Sequence, residues 1–209
     1  MLRCRSTKPA GPKPEKAPPE WRLTKALNGG GYLVNWGCYD MDFLFRVVGW
    51  SLRPKTVFAQ TWPIAPYLAS HIASGSDAET YYAALIRCEC GAVISLERGE
   101  HMAAPEEDSW QIIGTTGSLT LQMTTTGDGA PKRIILDECT EAQGLGKRTV
   151  WEVAEDSSDA TFGPIQDFAR AILDNRAPAT TLERAMIVQA VTDGVYKSSE
   201  TGQSVGIEI

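Results

Sequence analysis

Positive charge is in short supply in this chain: twenty lysines and arginines face twenty-six aspartates and glutamates, giving a formal net charge of -6 and a pI near 5.0. That balance argues against a broad electrostatic footprint for nucleic acid. The one basic concentration, Arg3, Arg5, Lys8, Lys13 and Lys16, is diluted by prolines and closed by Glu15 and Glu20, and reads as a solvated arm. Long apolar runs are missing too. None approaches the roughly 20 residues needed to cross a bilayer, so no membrane contact is expected. No apolar stretch follows the N-terminal charges, so a secretory signal is not expected either. The five cysteines (Cys4, Cys38, Cys88, Cys90 and Cys139) are odd in number and scattered, which does not describe a disulfide framework and fits the cytoplasm. Cys88 and Cys90 lack a second pair of ligands, and zinc takes four, so no metal site is expected. No Gly-x-Gly-x-x-Gly follows a strand, which removes the usual dinucleotide fingerprint. Histidine occurs only twice, as His71 and His101.

What is present suits one substantial core of 209 residues. Residues 1–20 carry five prolines and almost no large apolar side chains, so they are expected to form an extended arm, with order beginning near Trp21. Leu2-Arg3-Cys4-Arg5 alone reads as the tail of a strand. A helix is predicted from Gly31 to Gly49, where Leu33, Trp36 or Gly37, Met41, Leu44 and Val48 recur at helical spacing. Strand-like runs follow at Thr56–Trp62, Tyr81–Glu89, Ala92–Glu100, Trp110–Ile113, Ser118–Met123, Arg133–Leu136 and Thr149–Val153. Cys90-Gly91 and Gly114-Thr115-Thr116-Gly117 read as hairpin turns. Helices over Gly163–Asp174 and Leu182–Ser198 precede a short strand within Ser204–Ile209. The expectation is an α+β fold: an open, mainly antiparallel sheet of about six or seven strands, with helices packed on one face. The second face, with its mixed set Ala83, Leu85, Val93 and Ser95, is expected to pair with another copy of the chain, as a homo-oligomer.

Chemistry concentrates in Gly29-Gly30-Gly31-Tyr32-Leu33-Val34-Asn35-Trp36-Gly37-Cys38-Tyr39-Asp40-Met41-Asp42. Three glycines allow close backbone approach and open a helix. On a regular helix Asn35, Tyr39 and Asp42 stand at i, i+4 and i+7, on one face. An amide, a phenol and a carboxylate in a row hydrogen-bond the hydroxyls of a polar substrate, and a phenol passes a proton when a cation lowers its pKa. The same spacing also describes a polar face turned to solvent.

The order Gly-Gly-Gly, Leu, a polar residue, Gly, a proton-carrying residue and a final Asp resembles the GFO/IDH/MocA oxidoreductases, in which Gly-Gly-Gly-x-Leu-x-Asp-x-Gly-x-His-x-x-Asp is common. Trp21-Arg22-Leu23 resembles the Trp-Arg that leads into the glycines. Ile113-Gly114-Thr115-Thr116-Gly117-Ser118-Leu119 is similar to the family's hairpin. Phe168, Ile172 and Pro178, with Thr181, Glu183, Tyr196, Thr201 and Gly202, resemble its closing signature. The resemblance implies the second, substrate-binding and oligomerisation domain (residues 21–209) of an enzyme that moves hydride between NAD or NADP and a sugar or polyol. In this family an Asp and a His, with a lysine from the nucleotide-binding Rossmann domain, serve the chemistry. Here the family Asp falls on Asn35, the His on Tyr39 and the last Asp on Asp42. Tyr39 is therefore expected to be the catalytic acid/base, and Asn35, Asp42, Trp21 and His101 to contact substrate. Gly29, Gly30 and Gly31 are expected to approach the cofactor. The Rossmann domain and its lysine are not expected within this sequence, and the chain alone is expected to be inactive. The competing expectation is a non-catalytic module that binds a ligand or builds oligomers.

Overall fold

The computed structural model describes residues 1–123, 130–154 and 159–209. Among the described residues nine strands form one open sheet in the order β8-β7-β6-β5-β1-β4-β3-β2-β9. They are β1 (Leu2–Pro9), β2 (Pro54–Trp62), β3 (Tyr81–Cys88), β4 (Val93–Met102), β5 (Glu107–Ile113), β6 (Gly117–Leu121), β7 (Lys132–Thr140), β8 (Gly144–Val153) and β9 (Val205–Gly206). Every neighbouring pair is antiparallel except β1 with β4. The helices are α1 (Lys25–Asn28), α2 (Cys38–Val47), α3 (Asp159–Leu173) and α4 (Leu182–Thr201).

Alternation along the strands sorts the two faces. Val57 and Ala59, Ala84 and Ile86, Ile94 and Leu96, and Leu2 and Cys4 are buried beneath the helices, where they meet Leu33, Met41, Leu44 and Phe45 and, from α4, Val191 and Val195. Residues between them face the other way, as a period of two requires. The hairpins expected at Cys90-Gly91 and Gly114–Gly117 are both present, the first closed by the Cys88 amide donating to the Ala92 carbonyl at 2.8 Å. Cys88 is buried at the end of β3 while Cys90 sits exposed in the turn, so the two thiols part company.

The amino-terminal segment departs from expectation. Instead of an arm through Glu20, Leu2–Pro9 is an inner strand, paired with β4 at Ser6↔Arg98 and with β5 at Cys4↔Trp110. Leu2, Cys4 and Ser6 alternate inward, so the strand read over Leu2–Arg5 runs on to Pro9. The proline-rich stretch begins only after it. The second departure is in the predicted helix: Leu33–Gly37 forms a π turn before α2 begins at Cys38.

Candidate functional site

The glycine segment folds around a buried carboxylate. Glu79 is 4% exposed and accepts hydrogen bonds from the amides of Gly31 and Leu33, each at 3.0 Å, and from the Tyr196 hydroxyl at 2.9 Å. An anion at the start of a helix satisfies amides that have no partner of their own. Burial, reinforced by the Glu79 charge, pushes the Tyr196 phenol well above its ordinary pKa, so it stays a donor. The glycines are required by this packing. A Cβ on Gly31 would lie 1.9 Å from the Glu79 carbonyl oxygen and one on Gly30 1.9 Å from the Tyr196 hydroxyl, while Gly29 closes α1 at φ +78°. Gly30 and Gly31 are thus buried against their own chain, and of the three residues expected to approach a cofactor only Gly29 is exposed.

The π turn breaks the face on which Asn35, Tyr39 and Asp42 were expected to align. A π turn holds more residues than an α turn, so Asn35 swings back to donate to the Arg22 carbonyl at 3.3 Å. Tyr39 and Asp42 stay together on one wall of a cleft of about 890 Å³ between α2, α3 and α4, lined also by Arg46, Pro164, Phe168 and Thr180. Tyr39 is 59% exposed, and its ring lies 5.9 Å from that of Trp36. Its hydroxyl has no hydrogen-bond partner among the described residues. Asp42 is held by Arg46 at 3.2 Å, and the same guanidinium donates to Thr180 Oγ1 at 2.6 Å, tying α2 to the segment before α4. Trp21 is exposed on the short 3-10 turn Glu20–Leu23, outside the cleft lining. His101 lies at the end of β4 with φ +59°, facing His71 and not the cleft.

Beneath Tyr39 lies the feature that sequence reasoning missed. Asp40, fully buried, accepts from Arg98 Nε at 2.7 Å, from Arg98 Nη2 at 2.9 Å and from Trp110 Nε1 at 3.0 Å. Burial works against the charge on Arg98, but the hydrogen bonds and charge of Asp40 outweigh it and hold the guanidinium firmly protonated. The Arg98 guanidinium also lies 5.2 Å over the Trp36 ring, and Lys8 Nζ is 5.8 Å from the same ring. Cys4 and Tyr82, buried alongside, have pKa values driven up by desolvation and then by the Asp40 charge, so both stay neutral. The only signal in the sequence was a carboxylate in the same helical phase as Gly37 and Leu44; its partner is 58 residues away.

A match to the GFO/IDH/MocA C-terminal domain covers residues 1–120. Comparison with curated protein sequences gives no match. Among solved structures, the chain is similar to levoglucosan dehydrogenase in complex with NADH and L-sorbose, with 19% identity, a TM-score of 0.78, and coverage of 99% of this chain and 58% of that one. It is similar to an oxidoreductase domain protein from Kribbella flavida, with 18% identity, a TM-score of 0.74, and coverage of 100% and 59%. It also resembles aldose-aldose oxidoreductase from Caulobacter crescentus complexed with glycerol, with 16% identity, a TM-score of 0.72, and coverage of 98% and 54%. The likeness is one of fold, and the chain spans under three-fifths of the length of these relatives. With its open sheet, its glycine-led helix and a matched region longer than half its length, the chain belongs to the GFO/IDH/MocA family.

Proposed function

We propose that this chain supplies the substrate-side wall of an NAD(P)-dependent oxidoreductase acting on a sugar, polyol or related hydroxyl or carbonyl compound. The observation that carries the reading is the Tyr39 phenol: exposed in the cleft, without a hydrogen-bond partner among the described residues, and standing where the family's proton-carrying residue falls. Family membership and the sugar-dehydrogenase neighbours support it. A nicotinamide would be presented by a nucleotide-binding domain, because the Gly31 amide that a phosphate would need is occupied by Glu79. The exposed apolar side chains of α3, Ile165, Phe168 and Ile172, of which Phe168 lines the cleft, offer that domain a seat.

In the direction of reduction, a reduced nicotinamide, when held by that domain, would supply the hydride to the substrate carbonyl carbon. Tyr39 donates its hydroxyl proton to the carbonyl oxygen as the C–O π bond breaks, leaving an alcohol and a phenolate. Exposure lets the phenolate recover its proton from water. Asp42 fixes Arg46 at the cleft wall, whereas Asn35, turned back to the Arg22 carbonyl, and Trp21 lie outside the cleft lining and take no part in holding the substrate there. With the nucleotide-binding domain present, Tyr39→Phe should lower turnover by about 10²–10⁴-fold with little change in KM, the range set by removing a general acid. An unchanged kcat would remove Tyr39 from the mechanism. Titrating NADH and NADPH against this chain by fluorescence should show no saturable micromolar binding.

A second reading, a ligand-binding or oligomerisation module without turnover, is favoured by the face of the sheet that no helix covers. There Phe58 pairs with Leu85 across β2 and β3, each about half exposed, next to the stacked rings of Trp62 and Tyr81. The two readings share this surface, which we propose joins two copies of the chain.

A further inference from the structure

The two histidines of the chain, thirty positions apart in sequence, come together in space. Their ring centres are 6.1 Å apart, with planes inclined at 69°. His71 ends the 3-10 helix Pro66–His71 and is 9% exposed. Its Nε2 lies 3.1 Å from the Gly11 carbonyl oxygen, an acceptor only, so Nε2 carries the hydrogen and Nδ1 carries the lone pair. That buried Nδ1 has no hydrogen-bond partner among the described residues. An imidazole pinned through one nitrogen to a backbone carbonyl, with the other nitrogen bare, is the arrangement of a metal-ligating histidine and its supporting hydrogen bond. His101 faces it from the end of β4, in a left-handed backbone conformation that a residue with a Cβ rarely adopts.

We propose that His71, through Nδ1, and His101 form a two-imidazole site for a late first-row divalent ion of the zinc, nickel or copper class. Two imidazoles bound to one ion at about 2.1 Å have ring centres roughly 5–6 Å apart, close to the separation here. Imidazole is the donor these ions favour over carboxylate and water. The neighbouring Glu100 adds negative charge on the His101 side. Among the described residues no third histidine, cysteine or carboxylate converges on the pair, so water completes the coordination and the ion exchanges readily. Occupancy would add a further link among the chain around Gly11, the 3-10 helix and the end of β4, where the Ala10 amide already donates to the Met102 carbonyl at 2.9 Å. This site is separate from Tyr39 and its cleft.

The probe is nickel chloride, titrated calorimetrically into the chain with Cys90 and Cys139 changed to serine, since both thiols are exposed and would compete. One ion per chain should bind with micromolar affinity, and saturating nickel should raise Tm. His101→Gln, at a partly exposed position, should weaken binding at least tenfold with the circular dichroism spectrum unchanged. His71→Gln should do the same if it folds; if it does not, His101→Gln decides alone. Absence of saturable binding, or undiminished binding by the His101→Gln chain, would overturn the proposal.

Discussion

Asp40 and Tyr39 are neighbours in sequence with opposite fates, one fully buried and one facing solvent. Removing the charge on Asp40 leaves Arg98 buried without a counter-ion, and breaking such a pair costs about 3–5 kcal/mol. Asp40→Asn should therefore lower the denaturant midpoint sharply in urea unfolding, whereas Tyr39→Phe should leave it nearly unchanged. Equal losses in the two variants would contradict this assignment. Gly31→Ala tests the Glu79 seat, because its methyl would collide with backbone that cannot swing aside. It should fail to fold or unfold at far lower urea. The sequence showed that the glycines matter, but attributed them to a cofactor; their inward-facing partners, Glu79 and Tyr196, lie 48 and more positions away and leave no local trace. The exposure of Tyr39 on the cleft wall follows from helical spacing, which is short-range order alone.

Among elements, the hairpins and both long helices were readable from turn residues and apolar spacing, which are local properties. The π turn was not. It inserts its extra residue through packing of Leu33 and Gly37 against Tyr82, and so displaces Asn35 from the line it would hold on a regular helix. Strand β1 was read only over Leu2–Arg5 and its extension was missed for a related reason: beyond Cys4 the inward side chain is Ser6, whose partner is a buried carboxylate-bound arginine rather than an apolar residue. Helix α4 shows how one hydroxyl can join two elements. Ser198 Oγ donates to the Gln203 carbonyl at 2.6 Å and accepts from the Ala59 amide at 2.9 Å, linking the end of α4 to β2. Ser198→Ala leaves both groups unpaired in a buried place, at a cost of about 1–3 kcal/mol. Hydrogen exchange should report faster opening at Ala59 than in the parent chain; unchanged protection there would show that the hydroxyl is dispensable.

For the whole molecule, acid and association are the informative variables. Burial lowers the His101 pKa in the folded chain below its unfolded value, so the unfolded chain takes up the proton first. The corresponding stability is fully present above about pH 6.5 and is lost as the pH falls below it. His101→Gln should flatten that part of a stability-against-pH curve, and a curve of the same slope would assign the acid sensitivity elsewhere. On the free face of the sheet, Phe58→Lys with Leu85→Lys should shift sedimentation toward a single copy without altering the circular dichroism spectrum. The order of assembly follows from β1. Within this chain β1 is synthesised well before its two neighbours, β4 and β5, which begin at Val93 and Glu107. About half the chain must be synthesised before the middle of the sheet can close, so β1 spends much of its early life as an unpaired edge. Such long-range pairing slows folding and leaves the nascent chain open to association with its neighbours. Yield from slow translation or with chaperone support should therefore exceed what the stability of the finished fold would suggest.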